Sequence, residues 1–183
     1  MLIGLIVLAV IVILGIFVVT NYNALTKLKN KVKANWAQID VQLKRRADLI
    51  PNIVETVKGY AKHESETLEN AIKARSNYVN ASTPQQQMEA SGELNQALSR
   101  LMMLQEAYPD LKANTNFMSL QNDLKDTEDK IAYARQFYND AVYTYTNKLE
   151  MFPSNIIAGL FHFPTFEMFK VEEKDTEVPK VSF

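Results

Sequence analysis

The sequence predicts an all-α protein, in which an N-terminal transmembrane helix is followed by an antiparallel up-down four-helix bundle and a short C-terminal helix. Three observations predict it. Leu2 to Thr20, LIGLIVLAVIVILGIFVVT, carries no charged residue. Beyond it, apolar residues recur at spacings of three, four and seven over several long stretches, the period of a helix face. Only five glycines occur, against a wealth of Ala, Leu, Lys, Glu, Gln and Asn, a composition that favours helix.

The first element is a membrane anchor on grounds of length and energy. About twenty residues at a rise of about 1.5 Å cross the roughly 30 Å hydrocarbon core of a bilayer. Fifteen of the first nineteen residues are Leu, Ile, Val or Phe. At roughly −0.3 to −0.6 kcal/mol each, their insertion is favourable by about 5 to 9 kcal/mol. Lipid requires backbone polar groups to pair within the segment, which makes the β-branched run a helix despite its poor propensity in water. A cleavable signal peptide would need a basic leader and a small-residue cleavage site, and Val18-Val19-Thr20-Asn21 is not one. No Lys or Arg precedes the span, while Lys27, Lys29, Lys31 and Lys33 follow it. The positive-inside rule then places the amino terminus outside and the bundle in the cytoplasm.

Removing the span leaves about 160 residues, enough for one domain with a real core. A net charge of −1 and a pI near 6.1 give no reason to expect a nucleic-acid partner. The charge is unevenly spread: Asn21 to Lys62 holds nine Lys/Arg against three Asp/Glu, and the rest eleven against eighteen. The absence of cysteine excludes disulfides and thiol chemistry. The expected organisation is an anchor over 1–20, a bundle over 21–152, an apolar and aromatic segment over 153–170 and a polar tail over 171–183.

In the first bundle helix Tyr22, Leu25, Leu28, Val32, Trp36, Ile39 and Leu43 lie on one face. The lysine pairs Lys27/Lys31 and Lys29/Lys33 are like charges at i,i+4, unfavourable in water and favourable beside anionic headgroups. The helix is expected to end near Ala47, with Asp48 capping a second helix whose first turn holds Pro51. The alternative is a single helix kinked at Pro51. The second helix would carry Ile53, Val54, Val57, Tyr60, Ala61, Leu68, Ile72, Tyr78 and Val79. Asn80 to Pro84 breaks it, with Ser82 or Thr83 capping the third helix. That helix runs to about Tyr108, and a fourth spans about Asn116 to Met151. A short echo, A-R-x-x-Y, recurs at Ala74–Tyr78 and Ala134–Tyr138.

After Pro153, Ser154 or Asn155 can cap a short helix. The segment carries Ile156, Ile157, Leu160, Phe161, Phe163, Phe166 and Phe169, a candidate interface. In an up-down bundle the fourth helix returns toward the membrane. The segment therefore either closes the bundle core, forms a subunit contact or lies in the headgroup layer.

Catalytic signals are scarce. His63 has no partner His four residues on, so H-E-x-x-H is absent, and a bundle di-iron site would need two E-x-x-H pairs. No phosphate-binding glycine loop and no G-x-S-x-G occur. Arg45, Arg46 and Asp48 form the densest charged cluster, best read as structural pairs at a helix junction. No cofactor, metal or small-molecule substrate is expected.

The blocks QLKRRADLIPNIVETVKGYAKHE, EAYPDLKANTNFMSLQNDLKDTEDKIAYARQFYND and FPSN, in that order, resemble the LemA family of small bacterial membrane proteins. The resemblance implies an N-terminal span in the bacterial cell membrane followed by a helical bundle, and no agreed enzymatic activity. Its motif positions fall on Arg45, Arg46, Asp48, Pro51 and Asn52, and on Glu106, Tyr108, Pro109, Leu111, Asn114 and Phe117. The remainder are Glu128, Arg135, Tyr138, Asn139, Phe152, Pro153 and Asn155. Thr146 departs from the family pattern, which has Asn after Tyr. The expected function is a non-enzymatic membrane-anchored scaffold, bound to the bilayer and self-associating as a homo-oligomer. The alternative is a regulatory component that binds a membrane-associated protein partner.

Overall fold

The computed structural model describes residues 1–169, and the expected polar tail 171–183 lies outside them. Among the described residues there are six helices and no strand: α1 (Leu2–Lys58), α2 (Ser65–Asn80), α3 (Pro84–Ala107), α4 (Pro109–Lys112), α5 (Thr115–Glu150) and α6 (Ser154–Leu160). The all-α class and the bundle are as the sequence predicts.

The chain divides into two compact units. One comprises Met1–Ala37 and Gln136–Met168; the other comprises Gln38–Arg135 and, among the described residues, Phe169. In the second unit the pairings show an up-down arrangement. Arg75 of α2 meets Ala47 of α1, and Tyr78, farther along α2, meets Asp40, earlier in α1. Asn77 of α2 meets Glu93 of α3, and Gln105 of α3 meets Gln121 of α5. Arg45 and Arg46 of α1 meet Asp126 and Glu128 of α5.

The helices earn their burial through sevenfold spacing. Along α1, Leu25, Val32, Ile39, Arg46 and Ile53 are buried at steps of seven. Along α5, Phe117, Leu124, Ile131, Tyr138 and Tyr145 do the same. One member of the first series is a charged residue, whose partners are described below.

Pro51 neither ends α1 nor separates two helices. The helix runs through it to Lys58, so Asp48 is an interior residue and not an N-cap. Of the two readings of Pro51, the single helix is the one observed. The turn falls instead over 59–64, after Gly59, where Ala61 plugs into the core and Glu64 leads into α2. This resets the helical phase. The buried face of α2 is Leu68, Ala71, Ala74 and Tyr78, while Ile72 and Val79, expected inside, are exposed. The register that runs from Ile53 ends at Gly59, a helix-stop residue, so it does not carry over to Ile72 and Val79.

Other boundaries follow local chemistry. Thr83, one of two expected caps, accepts from the Gln86 amide at 3.2 Å while its own amide donates to Gln86 Oε1 at 3.3 Å, a reciprocal capping box. Pro109 opens α4 at a position where a missing N–H is harmless. Asn114 caps α5 by accepting from the Phe117 amide at 2.9 Å, and its Nδ2 donates to the Tyr60 hydroxyl at 2.8 Å. Tyr108 donates to Glu64 at 3.3 Å. Both loops at that end of the second unit are thereby tied together.

Candidate membrane-facing site

The site is built in the first unit, from the beginning of α1, the end of α5, α6 and the segment that follows. Leu2 to Thr20 is exposed apart from Phe17 and Val18, which are half-buried, and the helix is long and apolar enough to cross a membrane. At its end Thr20 Oγ1 donates to the Ile16 carbonyl at 2.7 Å and Asn21 Nδ2 to the Phe17 carbonyl at 2.9 Å. The first polar side chains after the apolar run thus fold back on the helix that carries them.

Beyond the span α1 and α5 run antiparallel. Asn35 Nδ2 donates to the Phe137 carbonyl at 2.9 Å, and the Trp36 ring meets Tyr138 edge-on at 5.4 Å. Equal steps of 1.5 Å per residue in opposite directions from Asn35 and Phe137 bring Glu150, the last residue of α5, level with Tyr22. The chain then turns through a cis Phe152–Pro153 peptide into α6. Ser154, only 1% exposed, donates its hydroxyl to the carbonyls of Lys148 and Met151 at 2.6 and 2.8 Å, closing the end of α5. The expected cap of α6 by Ser154 or Asn155 is therefore not formed: Ser154 serves the preceding helix, and α6 begins after Pro153 with no side-chain cap.

α6 ends in a Schellman-type turn. The Phe163 amide donates to Ala158 O at 3.0 Å and the His162 amide to Gly159 O at 3.3 Å, with His162 in the left-handed region at φ 51°. From there the chain runs as an irregular strap back along α5. Tyr145, buried, donates to the Pro164 carbonyl at 2.7 Å and stacks obliquely on Phe166; Tyr138, two turns earlier, donates to the Glu167 carbonyl at 2.9 Å. Burial pushes both phenols up, with the Glu167 charge adding to the effect on Tyr138.

The strap's aromatic end packs on α1 just beyond the span. Tyr22 meets Phe161 and Phe163 edge-on at 4.9 and 5.5 Å, and the Lys29 ammonium lies 5.3 Å from the Phe163 ring centre. Lys29 is thus half-buried, whereas Lys27, Lys31 and Lys33 are exposed. The candidate interface separates into two sets. Ile157 is buried, and Phe163 and Phe166 are half-buried within the strap, while Phe169 is buried in the second unit against the Arg135 guanidinium. Ile156, Leu160 and Phe161 remain exposed, joined by Met151 and by Phe152 at 79% exposure.

The LemA family model matches residues 35–183. The chain belongs to the LemA family. It is similar to Protein LemA of Metamycoplasma hominis, 24% identical over 178 residues, covering 93% of this chain and 81% of that protein. It is also similar to Magnetosome protein MamQ 2 of Paramagnetospirillum magneticum, 25% identical over 176 residues and 82% of this chain. Magnetosome protein MamQ of Magnetospirillum gryphiswaldense is 24% identical over 175 residues and 81% of this chain. The matches span 65% and 64% of the two magnetosome proteins' own lengths. None of these names denotes an enzyme.

The LemA motif positions are mostly joints of the fold. Arg46 is fully buried in the second unit. Its guanidinium donates to Glu128 at 3.0 Å and to Ser91 at 3.0 Å on the carbonyl and 2.6 Å on the hydroxyl. Arg45 meets Asp126 at 3.6 Å on the surface; Lys130, at 2.7 Å, holds the Asp126 carboxyl below the ordinary range, with Arg45 contributing less. Asp48 reaches Arg75 at 3.9 Å, and Pro51 and Asn52 are exposed. Glu106 pairs with Lys112 on the surface, and Leu111 and Phe117 are fully buried. Asn139 is half-buried and Asn155 exposed, while Thr146, the departure from the LemA pattern, is half-buried beside Tyr145.

Sequence reasoning missed Ser91 and Arg75, and gave Ser154 a role at the start of α6 where it serves the end of α5. Ser154 stood inside the quoted FPSN block, and Arg75 stood in the A-R-x-x-Y echo. That echo places one tyrosine, Tyr78, on Asp40 of α1 at 3.2 Å and the other, Tyr138, on the strap. Ser91 carried no signal. Among the described residues no group of His, Cys, Asp or Glu is arranged to hold a metal ion. Chemically, then, the first unit presents an apolar corner and lysines beside a membrane-length helix, and the second presents polar side chains that join its helices, with Arg46 Nε buried and without a partner among the described residues.

Proposed function

We propose that this LemA-family protein is a non-enzymatic, single-pass membrane scaffold, with its amino terminus outside the cell and its helical bundle in the cytoplasm. The observation that carries the reading is α1. Its apolar first part has no tertiary cover, and the same unbroken helix continues past Thr20 into residues that pack on α5 and the strap. A segment of this kind is stable only in lipid. Exposed Lys27, Lys31 and Lys33 on the helix beyond it support the orientation. Confinement to a membrane raises the effective concentration of neighbouring copies, which favours self-association of the bundle.

The native chain has no cysteine, so single-cysteine probes report one position each. Asn30→Cys is expected to react with a membrane-impermeant maleimide only after the cells are permeabilised. Labelling in intact cells would reverse the orientation, and release of the full chain from membranes by alkaline carbonate would remove the anchor. Amine crosslinking in native membranes is expected to give a ladder of multiples of this chain. Monomer alone would count against self-assembly, and one discrete mixed band would favour the regulatory alternative.

A further inference from the structure

The first unit exposes an apolar corner that its own packing does not require. Ile157, Ala158 and Ser154 face inward from α6, yet Met151, Phe152, Ile156, Leu160 and Phe161 are 46 to 79% exposed on the same short turn of chain. Large apolar side chains gathered at one place mark a surface that is covered in the working protein.

What covers it follows from its height along α1. The Asn35–Phe137 contact and the antiparallel course of α1 and α5 bring the end of α5 level with Tyr22. The Tyr22 ring, 4.9 Å from Phe161, confirms that level independently. Tyr22 stands two residues beyond Thr20, where the apolar run stops. The corner therefore sits where the hydrocarbon core gives way to headgroups, the zone in which aromatic and aliphatic side chains partition well. Lys27, Lys31 and Lys33 lie farther along the same helix, where anionic headgroups attract them.

We propose that Met151, Phe152, Ile156, Leu160 and Phe161 dip into the headgroup interface of the bilayer that Leu2 to Thr20 crosses, giving the protein a second membrane contact. This rests on reading that segment as a span. The span supplies the tether, so the corner meets lipid without a separate binding event. The corner fixes the azimuth of α1 about its own axis, because only one side of the helix carries it.

The test uses full-length protein in nanodiscs of phosphatidylcholine and phosphatidylglycerol, spin-labelled at single cysteines. Phe152→Cys and Leu160→Cys are expected to collide often with lipid-soluble oxygen and rarely with a water-soluble nickel chelate. Met103→Cys, at an exposed position of α3, should show the reverse. Leu8→Cys reports the span. If Leu8 is in lipid while positions 152 and 160 collide with the nickel chelate as position 103 does, the second contact is absent and the anchor stands. If Leu8 itself collides with the chelate, the anchor reading fails. Shielding of 152 and 160 from both reagents would mean that a protein surface covers the corner, which also overturns the proposal.

Discussion

Arg75 Nε donates to the Ala47 carbonyl at 3.1 Å, the acceptor that Pro51, having no N–H, cannot serve. An interior proline strips its helix of one hydrogen bond four residues back. Here a guanidinium from the next helix supplies the missing donor, while a second nitrogen of the same group reaches Asp48 at 3.9 Å. Arg75→Met is expected to cost about 1 to 2 kcal/mol, the range for a partly exposed charged donor. In a Pro51→Ala background the restored amide takes over the Ala47 carbonyl, so the cost of Arg75→Met should fall by about half or more. Thermal unfolding of the four proteins in detergent closes the cycle. Equal costs in both backgrounds would show that Arg75 does not serve the proline.

Arg46 occupies a core step of α1, with Nη1 bound to Glu128, Nη2 to Ser91 and Nε buried without a partner among the described residues. Glu128→Ala leaves a buried guanidinium with Ser91 alone. Because Glu128 is 37% exposed, water offsets part of the loss, and a cost of about 2 kcal/mol is expected, below that of breaking a fully buried pair. Replacing both partners, as Arg46→Met with Glu128→Leu, should cost less than Glu128→Ala alone, since no orphaned charge remains. Chemical denaturation of the two variants beside the native protein checks the order.

His162 holds the left-handed position that ends α6, with φ 51°. Glycine adopts that conformation without the Cβ conflict, and histidine tolerates it better than β-branched residues do. His162→Gly should leave stability unchanged or raise it by up to about 1 kcal/mol, whereas His162→Val should lower it by about 1 to 2 kcal/mol. The midpoint of thermal unfolding distinguishes them.

Three buried phenols make the fold sensitive to alkali. Burial raises the pKa of Tyr78, Tyr138 and Tyr145, reinforced by Asp40 at Tyr78 and by Glu167 at Tyr138. A group whose folded pKa is raised is fully stabilising below its unfolded value, about 10 for tyrosine, and loses that contribution as pH climbs toward the folded value. Stability should therefore be flat up to about pH 10 and fall above it. Tyr138→Phe and Tyr145→Phe should each shallow that fall while costing about 1 kcal/mol at neutral pH through the lost bonds to Glu167 and Pro164. Unfolding midpoints across an alkaline pH series provide the measurement.

The motif blocks pointed to the joints of the fold more than to a site. Asn114, Tyr108 and Arg46 stood out through the resemblance to the LemA blocks, and Arg46 also as part of the densest charged cluster. The direction of each hydrogen bond was not legible, since the partners Glu64, Ser91 and Tyr60 are set by which helices become neighbours. The same limit applied to the aromatic segment, where Ile156 and Ile157 are adjacent and equally apolar yet one is exposed and the other buried.

By itself the sequence determined the membrane-length helix, the all-α class, a cap at Ser82 or Thr83 and the aromatic character of the final segment. Each depends on local quantities: run length, periodicity and side chains within a turn or two of their own backbone. Only the tertiary structure decided that α1 continues through Pro51, that Arg46 belongs to the core, and that the α5–α6 corner lies level with Tyr22. These depend on partners distant in sequence. Here a second helix brings a donor to the carbonyl that Pro51 orphans, and acceptors from two other helices converge on the buried Arg46.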